Sequence, residues 1–162
     1  MPDCPVCHTD VKRRQDGKCP SCAVPLVSVD GEWIDASETS PGVILLRYFE
    51  TLVSRQQSAT AGVPVTWHIP PRGATYRMEL ALAGRLVKET GDLQLAVAAL
   101  GLLFTRKQFC WKTYTSLLQL KRDFSLALAI ASAQRDAEDT ERRLQQEALE
   151  SLRSREDLFN SQ

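Results

Sequence analysis

Histidine is scarce in this chain: of 162 residues only His8 and His68 carry an imidazole. His68, in "TWHIPPR", has no cysteine or acid close by and reads as structural rather than as a base or a ligand. A Gly-rich phosphate loop, a nucleophile elbow and a paired-carboxylate motif are also missing, so a binding protein is expected, not an enzyme, with no catalytic residues. Long hydrophobic runs are absent. The longest uncharged apolar stretch, "LQLAVAALGLLFT" at 93 to 105, is shorter than the roughly 20 residues that span a bilayer. The start, "MPDCPVC", has no basic segment followed by an apolar run, as a secretory signal would. A cytoplasmic protein with no membrane association is expected. Hydrophobic residues at 43% and charged residues at 25% are ordinary globular values, which argues against wholesale disorder.

Cysteine is where the chain departs from the ordinary. Four of its five cysteines fall in "CPVCHTDVKRRQDGKCPSC", residues 4 to 22. In a reducing compartment, paired Cys-x-x-Cys motifs point to metal binding more than to disulfides. Two residues between paired cysteines allow a tight turn to aim both sulfurs at one ion, and Pro5 and Pro20 stiffen those turns. Cys4, Cys7, Cys19 and Cys22 are therefore the candidate ligands of one structural Zn2+, with a disulfide pair or an iron site as the alternatives. Four thiolates close a tetrahedral shell and leave no position for water or substrate. The stretch between the pairs suits a short hairpin reversing near Gln15, Asp16 and Gly17, and "PLVSVDGEWID" reads as two short strands around the Asp30-Gly31 turn.

This pattern resembles the zinc ribbon, a family of small Cys4 β modules, over residues 1 to 36. The resemblance implies a module held together by its metal, since so short a segment buries little apolar surface, and metal binding worth on the order of 10 kcal/mol makes up the difference. Zinc ribbons often carry Gly after the second cysteine of each pair, whereas this chain has His8 and Ala23. Cys110 stands alone and reads as a buried or incidental thiol.

Beyond a linker at 37 to 40, the spacing becomes helical. Ser40 followed by Pro41 is a helix start, and Leu45, Tyr48, Phe49 and Leu52 define one buried face. Residues 63 to 73 form a connector with a short strand expected at "VTWHI". A helix over about 75 to 90 should end at Gly91, with Asp92 capping the next, an uncharged central helix reaching about 106. A further helix is expected over 111 to 122, with Asp123 or Ser125 opening a long one toward 158. "LVKETGDLQLAVAA" (86 to 99) aligns with "LLQLKRDFSLALAI" (117 to 130), an offset of 31 residues that resembles a tetratricopeptide-type helix pair within residues 75 to 135. The expected fold is thus a small N-terminal β zinc ribbon followed by a mainly α-helical domain at 41 to 135, built of helical hairpins or a bundle. A charged helical extension at 136 to 162 completes a long C-terminal helix.

The 20 basic and 20 acidic residues cancel in total but not along the chain. Residues 1 to 39 carry −3, residues 40 to 135 carry +7, and residues 136 to 162 carry −4. Lys12, Arg13 and Arg14 cluster between the cysteine pairs. Residues 105 to 122 hold Arg106, Lys107, Lys112, Lys121 and Arg122 with no acid, and with Phe109, Trp111 and Tyr114 among them. Basic side chains neutralise phosphates and aromatic faces stack on bases, so these residues are the candidate contacts for nucleic acid, or for a complex that carries it. Aromatics at helix junctions also serve as core. A protein–protein adaptor docking other proteins through the ribbon and the helical domain is the alternative, with self-association along a thin stripe of Leu144, Ala148, Leu152 and Phe159.

Overall fold

A computed structural model describes residues 3–11, 17–37, 39–109 and 112–160, with the side chains of all but 157, 158 and 160. Two strands, β1 (Leu26–Val29) and β2 (Glu32–Asp35), precede four helices, α1 (Pro41–Ala61), α2 (Ala74–Thr90), α3 (Leu93–Thr105) and α4 (Leu117–Asn160). Among the described residues, no helix is long and apolar enough to cross a membrane.

The strands pair antiparallel, with Leu26 opposite Asp35 and Val29 opposite Glu32. Asp30 (φ 60°) and Gly31 (φ 82°) both take left-handed backbone, as the tight turn between twisted strands requires. The helix boundaries follow local chemistry. Pro41 opens α1, although the Ser40 hydroxyl makes no capping bond, and α1 closes on left-handed Gly62. Gly91 closes α2 with its amide donating to Val87 O. Asp92 caps α3, its carboxylate accepting from the amides of Gln94 (2.9 Å) and Leu95 (3.3 Å).

Because α3 carries no charge, it can be covered on several sides, and it packs on α1, α2, α4 and β1. Its Leu95, Ala96, Val97, Ala99, Leu100 and Leu103 are buried with Leu45, Phe49 and Leu52 of α1 and Leu117, Leu120 and Phe124 of α4. Helices α1 and α2 approach closely where a Cβ on Gly42 would stand 3.1 Å from Gly84 N. Strand β1 belongs to two clusters at once. Val27 and Val29 enter this helical core, while Leu26 packs with Cys4, Val11 and Cys19. Only the first part of α4 is covered: Ala131 is buried, and every residue from 133 to 156 is exposed.

Three expectations require correction. No helix ends at Lys121 or Arg122, because α4 runs unbroken from Leu117 through Asp123 and Ser125. The Asp123 carboxylate is not a cap; it turns back to hold Lys112 and Tyr114. The two aligned segments consequently differ in structure, since 86 to 99 spans the junction of α2 and α3 whereas 117 to 130 lies inside α4. "VTWHI" forms no strand. Two serines one turn apart on α1 serve its backbone instead, Ser58 Oγ accepting the Val65 amide (2.8 Å) and Ser54 Oγ the Trp67 amide (2.9 Å).

Candidate metal centre

Residues 3 to 11 and 17 to 25 build the same local device twice. In the first, the Cys4 amide donates to Thr9 O (3.0 Å) and the His8 amide to Cys4 O (2.9 Å). In the second, the Cys19 amide donates to Val24 O and the Ala23 amide to Cys19 O, both at 2.9 Å. Each loop is closed at its base by a single bridge, Asp3 with Asp10 and Lys18 with Pro25. Closing so tight a loop forces the residue after the second cysteine into left-handed backbone, and His8 (φ 56°) and Ala23 (φ 61°) both adopt it. These are the two positions where Gly is absent. A side chain there costs about 1 kcal/mol per residue. Ala23→Gly is accordingly expected to raise the stability of the metal-loaded protein by about 0.5–1 kcal/mol, whereas Ala23→Val lowers it. Thermal unfolding of the metal-loaded variants checks both signs.

The paired turns bring the four thiols together. All four Sγ atoms lie within 4.8 Å of one another. Cys4 Sγ stands 3.7 Å from Cys22 Sγ, and Cys7 Sγ stands 3.7 Å from Cys19 Sγ, so each close contact joins one pair to the other. A single cation at their centre reaches all four. Cys4 and Cys19 are buried, Cys7 is half-buried and Cys22 is exposed. The Ser21 amide points at Cys19 Sγ (3.4 Å), and Thr9 Oγ1 lies 3.4 Å from Cys7 Sγ.

Without an ion the thiols of Cys7, Cys19 and Cys22 are shifted in opposite directions. Cys7 is drawn down to about 6 by the Thr9 hydroxyl and then the Thr9 amide. Cys19 is also lowered, first by the Cys22 amide and further by that of Ser21. For Cys22 the Val24 amide acts downward, but local desolvation of the sulfur and the crowded thiols of Cys19, Cys7 and Cys4 outweigh it and push the group up to about 12. Crowded sulfurs share protons, and a divalent cation would take the place of those protons.

No protein-family model, curated protein or solved structure matches this chain. What the centre can do is therefore read from its donors and from what it is fastened to. A set of four thiols fits a metal that prefers sulfur and closes its own coordination shell. The fastening is strand β1. Gln94 of α3 uses both ends of its amide on Ser28, accepting from Ser28 N (2.8 Å) and donating to Ser28 O (3.0 Å), as a neighbouring strand would. Arg55 of α1 forms a forked ion pair with Asp30 at the hairpin turn. Neither contact has a local sequence signal, since 66 and 25 residues separate the partners.

The basic candidates divide into three groups. Lys12, Arg13 and Arg14 lie outside the described residues, as do Gln15, Asp16, Cys110 and Trp111. Arg106 and Lys107, just after α3, and Lys121 and Arg122, on the first turns of α4, are exposed. Lys112 is tied inward, its Nζ 2.7 Å from Asp123 Oδ2 with the side chain 32% exposed. Tyr114 donates its hydroxyl to the same oxygen (2.7 Å), and together Lys112 and then Tyr114 hold the Asp123 carboxyl below its ordinary range. Phe109 and Tyr114 are buried at 3% exposure, so both serve the core rather than a stacking surface.

Proposed function

We propose that this chain is a zinc ribbon fastened to a helical body, a protein without catalysis of its own in which one structural Zn2+ fixes the N-terminal module. We further propose that the body binds nucleic acid or a complex that carries it. The donor geometry supports zinc. Four sulfurs about 2.3 Å from a tetrahedral ion stand about 3.8 Å from one another, close to the two 3.7 Å separations of the free thiols.

A single observation carries the polyanion reading. Of the five acids of residues 40 to 135, Glu79 is buried, Asp92 pairs with Arg135 and Asp123 pairs with Lys112, while Glu50 is half-buried and Glu89 is exposed. The segment's bases outnumber its acids by 7, and many of them, such as Arg77, Arg85, Arg106, Lys121 and Arg122, are exposed. Contacts are assigned to Arg106, Lys107, Lys121 and Arg122, with Lys12, Arg13 and Arg14 from the ribbon and Lys112 behind them.

Fluorescence anisotropy with short single- and double-stranded DNA and RNA at several salt concentrations tests this reading. The expected result is micromolar or tighter binding that weakens steeply with salt, and a loss of about tenfold or more in K121E/R122E with metal content unchanged. Absence of binding at low salt contradicts it. One observation favours the adaptor reading: Leu144, Leu149, Leu152 and Phe159 on α4 are 56%, 58%, 57% and 83% exposed. Truncation after Asp136 separates the two readings, since it removes those side chains and leaves the basic body intact.

A further inference from the structure

The projecting part of α4 stands in solvent over more than six turns, yet it is not uniformly polar. Its intrahelical ion pairs, Arg142 with Asp139 (2.9 Å) and Arg143 with Glu147 (3.8 Å), keep to one part of its circumference. On another part lie Ala137, Leu144, Ala148, Leu152 and Phe159, all exposed. The spacing of this stripe is not that of a heptad. Ala137, Ala148 and Phe159 are 11 residues apart, and so are Glu141 and Leu152, and Leu144 and Arg155. Eleven residues make about 3.67 per turn, so such a seam drifts only about 20° per repeat and stays nearly straight along the helix. Glu147 and Ser151, which break a heptad reading, fall off this seam.

The seam is also its own complement. Counted outward from Ala148, Leu144 mirrors Leu152 at 4 residues, Glu141 mirrors Arg155 at 7, and Ala137 mirrors Phe159 at 11. We propose that α4 pairs antiparallel with α4 of a second copy of this chain about a two-fold axis at Ala148. Across that axis leucine meets leucine, the small Ala137 leaves room for Phe159, and Glu141 faces Arg155 of the other copy in two equivalent contacts. Neither charge is committed to an ion pair elsewhere among the described residues; Glu141 only accepts a 3.3 Å hydrogen bond from Gln145. Contact with the body ends near Arg135, whose guanidinium pairs with Asp92, two residues outside the Ala137–Phe159 seam, so the two bodies lie at opposite ends of the pair. The inference is independent of the nucleic-acid reading, whose contacts lie on the body.

Sedimentation velocity of the full chain from micromolar to submillimolar concentrations tests the pairing. The expected result is a reversible species of twice 18.1 kDa. L144E/L152E is expected to stay at the single-chain mass with its helical circular dichroism retained. E141R and R155E are each expected to weaken the dimer about tenfold, and the double variant to restore it. In a parallel pair residue 141 faces residue 141, so failure of the double variant to restore the dimer overturns the antiparallel seam. A chain that stays at the single-chain mass at every concentration, or a dimer that survives L144E/L152E, overturns the proposal entirely.

Discussion

Removal of the metal, by chelation or by Cys19→Ser, is expected to unfold residues 3–36 and to destabilise the rest of the chain. The cluster around the sulfurs consists of Cys4, Val11, Cys19 and Leu26, with Cys7, Val24 and Trp33 partly covered against it. So few apolar side chains cannot offset the conformational entropy of ordering residues 3–11 and 17–36, whereas binding of a structural zinc is worth on the order of 10 kcal/mol. The left-handed backbone at His8 and Ala23 adds to what the metal must hold. The loss reaches the helices because Val27 and Val29 lie in their core and Gln94 is bonded to Ser28. The helices keep their own interior, so far-UV helicity is expected to survive while the amides of Cys4, His8, Cys19 and Ala23 lose their protection against hydrogen exchange. Continued protection of these amides in metal-free protein would show that the fold of the module does not depend on the ion.

The second large effect is expected at Glu79, a buried acid at 7% exposure on α2. Its carboxylate accepts the Leu117 amide (2.7 Å) and the Ser116 hydroxyl (2.8 Å), and Ser116 Oγ in turn accepts the Leu118 amide (3.0 Å). One helix thus caps the first turn of another. The charge sits at the positive end of the α4 dipole and joins α2 to α4. Glu79→Ala strands a buried amide and is expected to cost about 2–4 kcal/mol, whereas Glu79→Gln keeps an acceptor and costs about 1–2 kcal/mol. Urea unfolding with an unchanged m value measures both. Equal and small losses for the two variants would mean that the start of α4 is held by packing alone.

These two sites show how far local chemistry can be read from the chain. The spacing of the cysteines, Asp30-Gly31, Pro41, Gly91 and Asp92 each act within a few residues, and the structure bears out the element that each one implies. The start of α4 is different, because its cap is supplied from 38 residues away. Asp123 has the chemistry of a cap but spends its carboxylate on Lys112 and Tyr114, so the helix passes through it. "VTWHI" has the composition of a strand, yet the serines of α1 satisfy its backbone in place of a neighbouring strand. One signal of the distant cap was present in the sequence. Glu79 interrupts the apolar series Tyr76, Leu80, Ala83, Leu86 on α2, and an acid within such a series implies a buried partner. The contacts of Gln94 and Arg55 with the hairpin left no comparable trace.

The central claim is that four cysteines on two matching turns hold one zinc ion. Metal analysis combined with X-ray absorption at the zinc edge, on protein purified under reducing conditions, tests it most directly. The expected result is one zinc per chain surrounded by four sulfurs at about 2.3 Å, lost in Cys19→Ser. Iron in its place, nitrogen or oxygen in the zinc shell, or a chain that folds residues 3–36 without metal would contradict the claim.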